Sequence, residues 1–381
     1  MEHALLTQDR VRTAASSKPE SVAAANELVQ QLGDVDAAVV LFFASPALSG
    51  APIAQRLTEA FPGVPVVGCT TAGEFTERGN ATGGVSAVAL PRTIVTRAAA
   101  ALAPLETGVD VAVGGAFGEV ERALQVALRE ADPTRYVGLV LIDGLHGSEE
   151  RVNEVLGNHA PLLSFVGGSA GDDLRFDRTD VFCGRETSSH GAVLLVLEMA
   201  VPFNIVKSCS FEPTERTFTI TRADVASRTV WELDGRPAAE AYAEAVGCPV
   251  ADLAARVFMS HPLGLMIDDE PWIRSPMKVV DGGGIRFYCQ ILPGMDVSLM
   301  RSTDLVGETR NAFKRAMDEL GPASGAIVFN CILRRLEIDE KDLAADFVAA
   351  LGGIPVAGFH TYGESWLGHI NQTITGIMFG R

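Results

Sequence analysis

Three glycine-rich strings carry the residues whose types and spacing suit binding chemistry. They read Gly68-Cys-Thr-Thr-Ala-Gly-Glu74, Gly167-Gly-Ser-Ala-Gly-Asp-Asp173 and Gly358-Phe-His-Thr-Tyr-Gly-Glu364. Small residues such as Gly68 and Gly168 let main-chain N–H groups approach a carboxylate or phosphate. Cys69, Thr70, Thr71, Ser169, Thr361 and Tyr362 add polar side chains, and Glu74, Asp172 and Glu364 offer anions to a ligand ammonium group. The same residues also have a purely structural use. The glycines permit tight turns, and the acids satisfy nearby backbone N–H groups. None of the strings fits GxGxxG or GxxxxGK[ST], so nucleotide binding is not indicated.

Other reactive side chains form no familiar set. The histidines are His3, His146, His159, His190, His261, His360 and His369, with no HExxH or HxH spacing, which argues against zinc. Six scattered cysteines contain no CxxC pair, so ribbon and thioredoxin patterns are absent. Cys69 reads either as a thiolate ligand or as a small buried thiol. Ser148 lacks a GxSxG elbow, and no ordered Ser/His/Asp set emerges. Arg334 and Arg335 follow an apolar run, where they face an acidic ligand or pair with Glu337.

The strings end larger units of one layout. An apolar run (Ala38–Ala44, Val137–Ile142 or Ala326–Leu333) precedes a helical stretch (Ala51–Phe61, Ser148–His159 or Lys341–Leu351). A short strand then enters each glycine-rich loop, which reads as a duplicated βαβ unit with buried strands. Pro19–Leu32 and Pro237–Val246 predict further helices, with Gly33 stopping the first. The expected fold is α/β, two regions of repeated αβ units with mixed sheets and a shared ligand-binding cleft. The regions are placed at 1–228 and 229–381.

With 31 Lys plus Arg against 48 Asp plus Glu, the formal charge is −17, which opposes binding to nucleic acid or anionic lipid. The first thirty residues lack a secretory apolar core, and no apolar run approaches the roughly 20 residues of a membrane span. A cytoplasmic location is expected.

The strings GCTTAGEF (68–75), GGSAGDD (167–173), FNCILRR (329–335), GFHTYGE (358–364) and HINQT (369–373) together resemble the FIST-domain proteins, sensory modules with paired N- and C-terminal FIST regions. The resemblance implies a bacterial non-enzymatic sensor of a small ligand that signals through a separate partner, since no kinase or cyclase region fits beside the two FIST regions. The HINQT segment resembles the stand-alone NosP-type subset. That implies haem b, nitric oxide sensing and a partner histidine kinase, with His369 first and His360 second as the iron ligand. The alternatives are a haem-free sensor of an amino-acid-like metabolite and a hydrolase or transferase using loop carboxylates. Homo-oligomer formation stays open.

Overall fold

The structure is a computed structural model, and it describes residues 10–381. His3 therefore lies outside the described residues. Among the described residues, one compact unit comprises 10–207, 309–369 and 374–381, and a second comprises 208–308 with 370–373. The compact units divide at 207/208 and 308/309, and residues 228 and 229 lie at the turn of a hairpin within the second.

The first unit is one motif used three times. The first copy runs through β1 (Arg12–Ser16), α1 (Ser21–Leu32), β2 (Ala37–Ala44), α2 (Gly50–Ala60), β3 (Val66–Thr70), β4 (Glu74–Thr76), β5 (Gly79–Ala81) and β6 (Val85–Pro91). The second runs through β7 (Val95–Pro104), α3 (Val109–Leu124), β8 (Tyr136–Ile142), α4 (Glu149–His159), β9 (Phe165–Ser169), β10 (Val181–Cys183), β11 (Glu186–Ser188) and β12 (Gly191–Met199). The third opens with β13 (Phe203–Cys209), after which the chain builds the second unit.

That second unit is an antiparallel sheet made from β14 (Phe211–Asp224), β15 (Thr229–Leu233), β16 (Arg236–Pro237), β17 (Leu263–Ile267), β18 (Glu270–Arg274), β19 (Pro276–Val280), β20 (Gly284–Phe287) and β21 (Asp296–Ser302). Helices α5 (Ala238–Val246) and α6 (Ala255–Ser260) lie between its strands in sequence. Tyr242 and Phe258 from these helices join Phe218, Ile220 and Leu299 in its core. The Gly282-Gly-Gly284 turn works as expected, with φ of 88° and 80° at Gly282 and Gly283.

The third copy resumes with α7 (Leu305–Leu320), β22 (Gly325–Cys331), α8 (Ile332–Glu340), α9 (Ala344–Ala350), β23 (Val356–Thr361), β24 (Glu364–Trp366), β25 (His369–Ile370) and β26 (Thr373–Phe379). The run expected as strand to Leu333 therefore turns into helix at Ile332, and the helix expected over 341–351 is the second of two.

Each copy pairs its central strand in parallel with the strand before the loop and antiparallel with its last strand. The hairpin after each loop is exchanged. β4 pairs with β23, β24 with β9, and β10 with β3, so every copy completes another copy's sheet. Alternation along β2 explains why all eight of its residues are buried. Val39, Leu41 and Phe43 enter the core shared by the three sheets, and Val40, Phe42 and Ala44 pack under α1 and α2. Phe43, Phe329 and Phe359, one from each of three different strands, meet in the shared core with ring centroids 4.9, 5.6 and 6.3 Å apart.

Candidate functional site

The strand registers define equivalent positions. Gly68 lies opposite Phe42, Gly167 opposite Val140 and Gly358 opposite Val328. Gly167 rather than Gly168 is thus the counterpart of Gly68. A Cβ at Gly68, Gly167 or Gly358 would sit 2.4, 1.8 or 2.1 Å from the facing carbonyl oxygen, so only glycine fits.

The three loops meet through paired backbone bonds. Ala72 N–H donates to His360 O and His360 N–H to Gly73 O, at 3.0 and 2.8 Å. Gly171 N–H donates to Thr70 O and Thr70 N–H to Asp180 O, at 3.0 and 2.9 Å. Tyr362 N–H donates to Ser169 O and Ser169 N–H to Gly363 O, at 3.3 and 2.8 Å. Thr361 Oγ1 ties the same junction by donating to Ser169 O at 2.7 Å. The loops therefore knit into one another, and these six main-chain donors are consumed there.

This pairing also shows where the repeat is broken. Asp180 holds the place of Gly73 and Gly363, so residues 172–179 are an insertion found only in the second loop. Asp173, Leu174 and Phe176 in it have φ of 54°, 63° and 54°, a left-handed strain concentrated in four residues. Asp172 holds this turn. Its carboxylate accepts the N–H groups of Phe176, Asp177 and Arg178 at 3.0, 2.7 and 3.0 Å and the Tyr362 hydroxyl. Burial alone would raise its pKa, but these donors outweigh it and hold the carboxyl below its usual range. Tyr362 in turn is pushed above the usual phenol range, first by burial and then by Asp172. Asp172 thus takes the structural role.

A cavity of about 400 Å³ opens beside the insertion, at the C-terminal ends of β2 and β3. Thr70 and Asp172 reach it from the loops, Gly50 and Ala51 from the first turn of α2, and Arg175 and Arg178 from the insertion. Ser49 gives α2 no side-chain cap, and first-turn N–H groups have no partner within their own helix. Arg178 is held by Asp180 at 2.9–3.2 Å. Arg175 is exposed, and among the described residues its side chain has no hydrogen bond or ion pair. The cavity therefore offers one uncommitted cation, a helix N-terminus and the carboxylates of Asp177 and Asp180.

Glu74 belongs elsewhere. It is 3% exposed and borders a second cavity of about 200 Å³ with Ser16 and Ser86. It accepts the Thr71 hydroxyl and the Gly84 N–H, the latter at 3.2 Å. Its carboxyl is pushed up to about 8, chiefly by burial, so it is mainly uncharged at neutral pH and no strong partner for an ammonium group. Glu364 is fully buried in the exchanged hairpin opposite Gly168. Cys69 points into the shared core, where burial, and then Glu74, push its thiol well up, so the buried-thiol reading describes it. Gly168 packs against Thr361. The side chains of Arg334 and Arg335 do not reach Glu337. Arg334 is buried against Asn330 and Thr309 at 2.8 and 2.6 Å, and Arg335 donates to Ala72 O and to Asp339.

The two histidines expected to hold iron do not fit a haem as placed. His360 is fully buried, its Nδ1 accepts from Asn330 at 2.9 Å, and its Nε2 donates to Asn80 at 2.8 Å. Burial, helped by Arg335 and Arg334, holds its pKa well below the usual imidazole range, and neither nitrogen is open to a metal. His369 is 4% exposed with its ring packed on Gly363, where a Cβ would sit 2.0 Å from Cε1. Neither cavity is lined by a histidine.

One further group leaves no mark in the spacing of the sequence. Asp143, His146 and His190 come together, although the histidines are 44 residues apart and set on different turns. Among the described residues, no helix is long and apolar enough to cross a membrane.

Comparison with known proteins places the FIST N domain on residues 38–236 and the FIST C domain on residues 238–366. An uncharacterised protein of Methanocaldococcus jannaschii is 25% identical over 280 residues, covering 64% of this chain and 54% of its own length. Uncharacterised proteins from two Mycobacterium tuberculosis strains are 26% identical over 226 residues, covering 55% of this chain and 58% of theirs. The matches span little more than half the length of these curated relatives.

Proposed function

This chain belongs to the FIST family, whose domains are ligand-binding sensors in signal transduction, and on that premise we propose that it senses a small zwitterionic metabolite of amino-acid type in the cavity beside the inserted segment. One observation carries the reading: the threefold repeat is broken where a strained insertion brings an uncommitted arginine to an uncapped helix N-terminus. Departures from local regularity collect at functional sites. A ligand carboxylate would meet Arg175 and the N–H groups of Gly50 and Ala51, and its ammonium group would meet Asp177 or Asp180. Signalling requires that the ligand bind two conformations unequally, and the insertion is the segment whose strain a ligand can relieve.

A thermal-shift screen over amino acids and 2-oxo acids tests this. At a hundredfold excess over Kd, a bound ligand stabilises by about 2.7 kcal/mol. The shift should vanish in Arg175→Ala, a surface substitution that spares the fold. No shift with any compound, or an equal shift in Arg175→Ala, would overturn the reading.

A further inference from the structure

Asp143, His146 and His190 hold one carboxylate oxygen and two imidazole nitrogens within 4.8 Å of one another. Asp143 follows β8 and is fully buried. Its Oδ1 accepts the Thr179 hydroxyl at 2.7 Å and the Leu145 N–H at 3.0 Å, which leaves Oδ2 facing His146 Nδ1 at 2.6 Å. The rings of His146 and His190 stack at 4.1 Å and 20°. The backbone of His190 is fixed on both sides, by N–H donation to Ser188 Oγ at 3.2 Å and by acceptance from Leu105 N–H at 2.9 Å.

We propose that these three side chains form a binding site for a divalent transition-metal ion of the zinc type, with a fourth coordination position left to solvent. Two imidazoles and one carboxylate are the donor set such ions prefer over magnesium or calcium, which take oxygen. The Thr179 and Leu145 donors hold one carboxylate oxygen and present the other, the outer-shell arrangement that fixes a ligand's aim. Tetrahedral ligand atoms about 2.0–2.2 Å from zinc lie about 3.3–3.5 Å apart. The 2.6 Å contact must therefore open by under an ångström, with the shared proton leaving as the ion enters. His146 is exposed and sits on a loop, so it can yield that distance. The formal charge of −17 favours arrival of a cation. Imidazole lone pairs lie in the ring plane, so the stacked rings must splay for both nitrogens to meet one ion, and His146 on its exposed loop is the side chain that turns. The site is separate from the ligand cavity, and Thr179 of the insertion is its link to that segment.

The test is a Co²⁺ titration of full-length, untagged, metal-stripped protein, with Zn²⁺ as competitor. One equivalent of Co²⁺ should produce visible d–d absorption that Zn²⁺ removes. His146→Ala and His190→Ala should each weaken binding by at least about tenfold, while His261→Ala leaves it unchanged. Should either variant lose its fold by circular dichroism, the wild type still decides. Co²⁺ must then perturb the imidazole proton resonances of two histidines, one of them the resonance missing from the spectrum of the variant that folds. Absent d–d bands, binding unaltered in a folded His146→Ala or His190→Ala variant, or another set of perturbed histidines would overturn the site. None of these results bears on the metabolite screen, which uses no metal.

Discussion

Glu74 shows how a residue chosen for ligand chemistry is claimed by the fold. Burial raises its carboxyl, Asp173 adds to the rise, and the Thr71 hydroxyl, the Gly84 N–H and the Arg335 guanidinium pull the other way, leaving it at about 8. In the unfolded chain the group titrates near 4.5. The folded form therefore holds the extra proton between these values, and its stabilising effect, complete below about 4.5, is lost as pH rises to 8. A neutral amide lacks this titration. Denaturant unfolding should show the wild type losing stability relative to Glu74→Gln, by at most about 1.4 kcal/mol per pH unit, from pH 5 to 8. Parallel pH profiles for the two proteins would remove the account. The glycine-rich strings were legible in the sequence because they are contiguous. The Asp143, His146 and His190 group was not, because only the turn into β12 brings His190 back to the end of β8.

Among the elements, long buried strands were the easiest to read. β2 and β8 are uninterrupted apolar runs bounded by turn residues, β22 is broken only by Asn330, and the observed bounds differ from the expected ones by a residue or two. The exchanged strands escaped because β4, β10 and β24 have three residues each, too few to show any period. What the sequence offered instead was glycine at the register positions opposite Phe42, Val140 and Val328. Alanine there would press on a backbone carbonyl that cannot rotate away. Gly68→Ala, Gly167→Ala and Gly358→Ala should each destabilise by about 1–3 kcal/mol, the cost of overpacking. Gly157→Ala in α4, with nothing within 4 Å of its added Cβ, should instead gain up to about 1 kcal/mol. Chemical denaturation of the four variants checks both signs. If the strand glycines prove as tolerant as Gly157, the close approach is not what selects them.

At the scale of the first compact unit, hairpin exchange makes the three copies interdependent. β24 follows the third loop yet pairs with β9 of the second copy, and β10 follows the second loop yet pairs with β3 of the first. No copy holds a complete sheet of its own, so strain placed in one must be felt by all, as in a single cooperative transition. Trp366 on β24 is a native reporter, and the other tryptophans, Trp231 and Trp272, belong to the second unit. In a Trp231→Phe/Trp272→Phe background, fluorescence unfolding therefore reads Trp366 alone. Adding Gly68→Ala perturbs only the contact between β3 and β2 of the first copy. The denaturant midpoint at Trp366 should then fall by the same free energy as the far-ultraviolet circular dichroism midpoint. A Trp366 transition that stays in place while the circular dichroism moves would mean that the copies unfold one by one, and that the exchanged hairpins do not couple them.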